Sequence, residues 1–167
     1  YGKEARGCGL QEGYHVTVKQ LLNAVLVSSA EDACQALARL TGGSQEAFVT
    51  LMNERATELG MTNTHYANST GYTSDEQYTT VYDIYLLLNE FLKYPDLLNA
   101  MSLPDYTINY TTPKGELKQR WLDNDNPFTA GKVTIPKDVT VLGGKTFTSK
   151  SNNYAALLTQ NKYGEFY

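Results

Sequence analysis

The sequence predicts an α+β domain with its helices in the first half of the chain and its strands in the second. Capped apolar segments with helical spacing occupy residues 16–104, whereas short alternating runs of β-branched and aromatic residues follow from residue 105. The length of 167 residues and the 41% hydrophobic content suit one domain with a packed core. We therefore expect a helical lobe at about 16–104 and a β-rich part at about 105–167, both within a single domain spanning residues 1–167.

The charge balance and the residues able to carry chemistry exclude several classes of function. The 14 basic and 18 acidic residues give a net charge of −4 without a basic cluster, which argues against a nucleic-acid partner. No apolar run reaches membrane-spanning length, so we expect membrane contact only through segments outside this chain. His15 and His65 lack further ligands at metal-binding spacing, so we expect no metal and no cofactor. Cys8 and Cys34 permit at most one disulfide, and the sequence leaves their pairing open.

Four helices are predicted in the first half of the chain from their capping residues and apolar periodicity. Thr17 forms a capping box with Gln20, and Ser29 is predicted to cap the second helix with Asp32 at its third position. The Tyr-Pro pair at 94–95 is predicted to end the fourth helix. The predicted N-capping residues are Thr17, Ser29, Ser44 and Thr80. The predicted helices cover residues 17–27, 31–41, 45–59 and 80–94.

Strand patterns occupy the second half of the chain. Residues 106–112 alternate like a strand and lead into a Pro-Lys-Gly turn at 113–115. Further strand-like runs lie at 132–135, 139–149 and 154–160. We expect the last two of these runs to belong to one antiparallel sheet on which the helical lobe packs.

Two short fragments could carry chemistry. The first, Ser29 to Glu31, lies at the junction between two predicted helices, and the second, Gly143 to Thr146, lies much later in a predicted strand. A cation and a Thr hydroxyl beside glycines can hold a substrate carboxylate along a sheet edge, where backbone N–H groups can also serve an oxyanion. Taken alone, the second fragment is better explained as an ordinary strand with one exposed lysine, Lys145.

Longer segments place these fragments in a wider pattern. The chain reads LQEG at 10–13, TVKQLL at 17–22, SAEDA at 29–33, AFVTLMNERATELGMTNTH at 47–65 and GGKTFTS at 143–149. These segments resemble the low-molecular-mass D-alanyl-D-alanine carboxypeptidases of the penicillin-binding and serine β-lactamase superfamily, whose motifs are S-x-x-K, S-x-N and K-T-G. The resemblance implies that superfamily's α+β fold, incomplete here at both ends, with sheet edges that are exposed or covered by another segment.

The resemblance also implies a serine-type acyl-enzyme mechanism in the cell envelope, outside the cytoplasmic membrane. In that mechanism a Ser attacks the bond between the two terminal D-alanines of a peptidoglycan stem peptide, a Lys of the same helix acts as base, and water releases the product. β-Lactams mimic the dipeptide and trap the acyl-enzyme. The implied partners are therefore stem peptides ending in D-Ala-D-Ala and β-lactams.

Six residues receive roles by this resemblance. Ser29 matches the S-x-N serine that relays a proton to the leaving group, and Lys145 matches the K-T-G lysine that holds this hydroxyl network and attracts the substrate carboxylate. Thr146 would bind the carboxylate directly. The oxyanion N–H would come from Thr148 in direct register, or from Phe147 if the Gly of the motif is deleted. The sixth residue, at the place of the S-x-N amide, is Glu31.

Three departures from the family pattern bear on activity. No Ser-x-x-Lys occurs in the 167 residues, so we expect this chain alone to be inactive. Glu31 places an anion where the family has Asn, and Phe147 places a ring where the K-T-G glycine lets the strand approach its neighbours. Structural roles could also account for the residues at the junction, because Ser29 could serve as an N-cap and Glu31 and Asp32 as first-turn acids.

Two further interpretations therefore stand beside the carboxypeptidase. The chain could belong to a catalytically inactive relative that binds cell-wall peptides or another protein. A β-lactamase is the weaker third interpretation, because that class needs a deacylating Glu and residues 94–99 resemble the loop that carries it only faintly.

Overall fold

The computed structural model describes residues 7–148 and 153–164, and within them it confirms the α+β class. Five helices are followed by two β-hairpins. The helices are α1 (Val18–Ser28), α2 (Glu31–Gly42), α3 (Gln45–Glu58), α4 (Val81–Phe91) and α5 (Pro95–Met101). The strands are β1 (Asp105–Thr111), β2 (Leu117–Asp123), β3 (Val139–Thr148) and β4 (Asn153–Asn161).

Three of the four predicted N-caps are confirmed. Thr17 accepts a hydrogen bond from the N–H of Gln20, whose side chain accepts one from the N–H of Thr17 at 2.9 Å. Ser44 and Thr80 each accept a hydrogen bond at 3.1 Å from the N–H three residues later. These caps satisfy N–H groups that would otherwise have no partner at the helix start.

The fourth predicted cap, Ser29, is wrong. The residue that precedes α2 is Ala30, which forms no side-chain capping hydrogen bond. Ser29 instead ends α1 in the left-handed conformation, with φ 54° and ψ 38°. An N-cap residue needs an extended backbone, which Ala30 has, and a residue that reverses the chain at the end of the preceding helix cannot provide it.

The C-terminal boundary of the predicted helix 80–94 is also wrong. The helix ends at Phe91, and α5 begins at Pro95. The prediction used Pro95 only as a stop signal. A proline is equally suited to the first turn of a helix, where its missing N–H costs nothing.

The first hairpin pairs β1 with β2 in an antiparallel register from Asp105–Asp123 to Thr111–Leu117. The sequence did not predict β2, because six of its seven residues are exposed and the strand lacks apolar alternation. The strand predicted at 132–135 is wrong. This short run lies between Gly131 and Pro136, and in the described chain it forms no strand.

The second hairpin confirms that the predicted strands 139–149 and 154–160 belong to one antiparallel sheet, although Ser149 lies outside the described residues. β3 and β4 are antiparallel, with a bulge between Val141 and Gly143 and regular pairing from Gly143 onward. Gly144 is required here, because a Cβ at this position would overlap the backbone oxygen of Ala156. The two hairpins form separate two-stranded sheets rather than one, and the described chain adds no strand to the outer edge of either β3 or β4.

Helix α1 lies at the centre of the packing, against α2, α5, β1 and β2. Its inward side chains meet residues of the N-terminal segment and of the first hairpin. This core consists of Cys8, Leu21, Ala24, Ala30, Ala33, Ile108, Tyr110 and Leu122. Among the described helices, none is both long enough and apolar enough to cross a membrane.

Candidate active site

The candidate site lies where the C-terminal end of α1 meets β3. The ammonium group of Lys145 donates hydrogen bonds to the carbonyls of Val25 and Leu26, at 3.3 and 3.1 Å. The last carbonyls of a helix have no partner within the helix and carry its partial negative charge, so a cation is stabilised there. The last turn of α1 contains no basic residue of its own. Lys145 therefore supplies its cation from a distant strand, beside the turn that ends at Ser29.

A loop residue, Asp125, makes a second link between α1 and β3. Its N–H donates to the carbonyl of Val27 at 3.0 Å, and its own carbonyl accepts a hydrogen bond from the Thr146 hydroxyl at 3.0 Å. Asp125 thus joins the Val27 carbonyl of α1 to Thr146 of β3. Because of this contact, the Thr146 hydroxyl is already donating a hydrogen bond in the structure.

Two buried asparagines hold this loop in place, and sequence reasoning missed both. The Asn124 amide donates to the carbonyls of Met101 and Leu103, at 3.2 and 2.7 Å, and its oxygen accepts from the N–H of Asn126 at 2.8 Å. Asn126 in turn accepts from the N–H of Phe128 at 3.1 Å. The Asn-Asp-Asn-Pro run at 124–127 is a turn signal that could have indicated a structured loop.

Ser29 combines backbone strain with an available hydroxyl. It is the one non-glycine residue of the described chain with a positive φ. Such a conformation costs a residue with a Cβ about 1–2 kcal/mol. Within the described chain the Ser29 hydroxyl forms no hydrogen bond, whereas the neighbouring Ser28 hydroxyl donates to the carbonyl of Ala24 at 3.1 Å. Since Ser29 does not cap α2, helix capping does not explain a serine at this position.

Asp32 does more than occupy the first turn of α2. Its carboxylate accepts hydrogen bonds from the N–H groups of Cys8, Gly9 and Leu10, each at 2.9 Å. Burial alone would raise the pKa of Asp32, but the N–H groups of Cys8 and Leu10 outweigh it and hold the pKa below its usual range. Asp32 thereby attaches the N-terminal segment to the helix that follows Ser29.

The two cysteines are both free thiols, which resolves the pairing that the sequence left open. Cys8 is completely buried, and its thiol donates to Asp32 at 3.2 Å. Burial, the charge of Asp32 and this hydrogen bond raise the pKa of Cys8 to about 12. Cys34 is half-buried and donates to the carbonyl of Ser69 at 2.9 Å.

Phe147 and Thr148 are the last two residues of β3. Phe147 lies opposite Tyr154 of β4, with 6.3 Å between their ring centroids and an angle of 30° between their ring planes. In an antiparallel pair, successive residues direct their backbone N–H groups alternately toward the partner strand and away from it. Consequently only one of the two N–H groups, of Phe147 or of Thr148, faces the outer edge of β3, where an oxyanion could be bound.

Comparison with known proteins identifies the family. The family profile described as D-alanyl-D-alanine carboxypeptidase matches residues 3–160. The chain belongs to this family. Among curated relatives it is 35% identical to the D-alanyl-D-alanine carboxypeptidase DacF of Bacillus subtilis over 117 residues, which cover 70% of this chain and 29% of DacF. It is 36% identical to DacA of Escherichia coli over 103 residues, which cover 60% of this chain and 25% of DacA.

Solved structures confirm the penicillin-binding type of fold. The Streptomyces K15 DD-transpeptidase superposes with a TM-score of 0.79 at 25% identity, covering 94% of this chain and 60% of that one. A D-alanyl-D-alanine carboxypeptidase from Mycobacterium tuberculosis gives 0.72 at 22% identity, covering 96% and 56%. The matched segment spans roughly a quarter of the length of the curated relatives DacF and DacA, 29% and 25%.

Among the predicted site residues, Lys145 and Thr146 lie at the end of α1 that Ser29 closes. Lys145 and Thr146 both contact α1 or the loop bound to it, next to Ser29. Glu31 opens α2 two residues beyond Ser29 and is half-buried. Phe147 is 46% exposed, so its ring is not buried between the strand and a neighbouring helix. Within the described residues, no three His, Cys, Asp or Glu side chains are grouped as a metal site would require.

Proposed function

We propose that this chain forms the proton-relay and carboxylate-binding half of a serine-type D-alanyl-D-alanine carboxypeptidase site. The parent protein would remove the terminal D-alanine from peptidoglycan stem peptides in the cell envelope, outside the cytoplasmic membrane, and β-lactams would compete for the same site. The observation that carries the proposal is the position of the Lys145 ammonium at the last turn of α1, which Ser29 closes.

Each of three groups has a defined task in this proposal. Lys145, held by two backbone carbonyls, keeps a fixed positive charge that attracts the substrate carboxylate. The Ser29 hydroxyl, which has no hydrogen bond within the described chain, relays a proton to the leaving amine. Thr146 must rotate away from the Asp125 carbonyl before its hydroxyl can donate to the carboxylate.

This chain by itself should bind such ligands without reacting with them. Acylation needs an activated nucleophile, and neither a Ser-x-x-Lys serine nor its lysine base occurs in the 167 residues. Carboxylate and oxyanion contacts alone can hold a ligand but leave no acyl-enzyme. Incubation with a fluorescent penicillin followed by a denaturing gel should therefore show no labelled band, and a band that maps to any residue of this chain would refute this part of the proposal.

Reversible binding provides the direct test of the half-site. We would titrate acetyl-D-Ala-D-Ala, and the same dipeptide with a C-terminal amide, into the chain by NMR. Lys145→Ala should weaken binding of the free acid about tenfold or more and leave the amide unchanged, since only the acid has a charge for Lys145 to attract. The matched control is Lys162→Ala, at the opposite end of the same hairpin, where Lys162 lies 3.7 Å from Asp138. Equal effects of the two substitutions would exclude Lys145 as the carboxylate-binding group.

A binding module without catalysis is the second candidate, and Glu31 favours it. An anion at the position of the S-x-N amide would repel the substrate carboxylate instead of orienting the substrate. Glu31→Asn restores the amide and should strengthen binding of acetyl-D-Ala-D-Ala several-fold if the site is a degenerate carboxypeptidase site. Weaker binding by Glu31→Asn would instead indicate a ligand that uses the Glu31 carboxylate.

A further inference from the structure

We propose that Phe147 and Tyr154 form an aromatic surface beside Lys145 that binds a planar or aromatic acyl group of the ligand. The inference deepens the proposed function and rests on it. In this proposal the two rings determine which acyl group is preferred among ligands that share a D-Ala-D-Ala end.

The strand register places the two rings and the cation on one face of the hairpin. Pairing is regular from Lys145 to Thr148, because the only bulge of the β3–β4 pair lies before Gly143. Side chains alternate between the two faces of a strand, so Lys145 and Phe147 share a face, and their cross-strand partners Ala156 and Tyr154 lie on it as well. This face is turned toward the end of α1, since the Lys145 ammonium reaches the carbonyls there.

The two rings on this face are accessible to a ligand. Phe147 is 46% exposed and Tyr154 is 61% exposed, so both rings present accessible surface. The residue opposite Lys145 is Ala156, whose small side chain leaves room along the strand. A ligand anchored at Lys145 can therefore continue across this face to the two rings.

The spacing suits an acylated dipeptide. Residues two apart on a strand are separated by about 7 Å, which is also the reach of two extended residues of a ligand. A D-Ala-D-Ala carboxylate at Lys145 would thus place the group attached to the amino end of the dipeptide at the aromatic pair. Aromatic rings at 6.3 Å with a 30° tilt can accept a third planar group by edge or offset contact.

Two ligands that differ only in the acyl group test the inference. We would measure NMR affinities for acetyl-D-Ala-D-Ala and phenylacetyl-D-Ala-D-Ala with the unaltered chain, where the phenylacetyl form should bind about tenfold more tightly. In Phe147→Ala this ratio should fall below about twofold, while Phe147→Tyr should restore it because the ring is kept. The matched control is Tyr163→Ala, which removes another exposed ring, 78% exposed, from the turn after β4 and should leave the ratio at about ten.

The outcomes separate this inference from the proposed function. A ratio near one in the unaltered chain, or a ratio that survives Phe147→Ala, overturns the aromatic surface even if Lys145→Ala still weakens both ligands. A tenfold ratio that is lost in Phe147→Ala, together with affinities unaffected by Lys145→Ala, overturns the carboxylate site. No binding of either ligand overturns both. Amide spectra of each variant establish that it is folded, and Phe147→Leu provides a second non-aromatic variant with a smaller loss of volume.

Discussion

The helix side and the strand side of the candidate site are built in opposite ways. On the helix side, Ser29 has a strained backbone and a hydroxyl without a hydrogen bond in the described chain. On the strand side, Lys145 and Thr146 have extended backbones and side chains that donate to α1 and to the Asp125 carbonyl. The strand side is thus fixed by its side chains, whereas the helix side is fixed by its backbone and keeps its polar group available.

The largest effect on stability should come from a substitution at Gly144, where β3 lies close against β4. Gly144→Ala should destabilise the fold by about 4 kcal/mol, because its Cβ would overlap the Ala156 backbone and an alanine is strained at φ 156°. Gly143→Ala is the matched control, since its φ is 151° and its Cβ would meet only the flexible Met101 side chain. Urea denaturation should show about half the loss for Gly143→Ala. Equal losses would mean that strain, and not the contact with β4, makes glycine necessary.

The anchor of the helix side should give the next largest effect. Asp32→Ala leaves three backbone N–H groups of residues 8–10 without their acceptor and should cost about 3 kcal/mol. Asp96→Ala removes an exposed first-turn acid from α5 and should cost below about 0.5 kcal/mol. If urea denaturation shows that both substitutions lower the free energy of unfolding by similar amounts, Asp32 acts only on the helix dipole, as the sequence alone suggested.

The third largest effect on stability should come from removing the contact between Lys145 and the end of α1. Lys145→Met keeps an apolar side chain but removes the cation from the end of α1, which should cost about 2 kcal/mol. Hydrogen exchange should also quicken at the N–H of Ser29, which is bonded to the Val25 carbonyl. Lys162→Met serves as the control and should change neither measurement. Unaltered exchange at Ser29 in Lys145→Met would show that the two sides are held independently.

The four helices and the second hairpin could be predicted because their signals are local. Thr17, Ser44 and Thr80 cap helices whatever packs on them, and β3 opens with the β-branched run Val139 to Val141. Strand β2 could not be predicted, since its residues are stabilised by the β1 partner rather than by their own apolar pattern.

The candidate site divides in the same way. The sequence motifs indicated Lys145 and Ser29 as candidate residues, but the geometry depends on contacts between residues far apart in the chain. The Lys145 bonds to α1 span 119 and 120 residues, and the Asp125 bridge follows from no motif. The cap assigned to Ser29 was wrong because two helices compete for the same junction, and the end of α1 determines the backbone there.

Alkaline pH should give an effect that grows with pH and tests the anchor through Cys8. The buried thiol stays neutral in the fold with a pKa of about 12, whereas in the unfolded chain it ionises near pH 8.5–9. The stability from this difference is complete below the unfolded pKa and is lost as the pH rises toward 12, by about 1.4 kcal/mol per pH unit. Cys8→Ala should remove this slope above pH 9, and an unchanged slope would show that other groups produce it.

Relief of strain at Ser29 should give the smallest effect, with the opposite sign. Ser29→Gly should stabilise the fold by about 1 kcal/mol, because glycine adopts a left-handed backbone without the Cβ penalty. Ser29→Ala keeps the penalty and should give no gain. Both variants remove the Ser29 hydroxyl, so a difference between their thermal melts reports on the backbone conformation alone. A loss of stability in Ser29→Gly would contradict the strain.

Asp125 links α1 to β3 through its own backbone N–H and its own backbone carbonyl. A substitution at position 125 that leaves the loop backbone in place therefore keeps both hydrogen bonds, whereas proline deletes the N–H that donates to Val27. Relatives could therefore share this connection while differing at the residue that makes it. A search for it by residue identity would overlook what a search by backbone geometry would find.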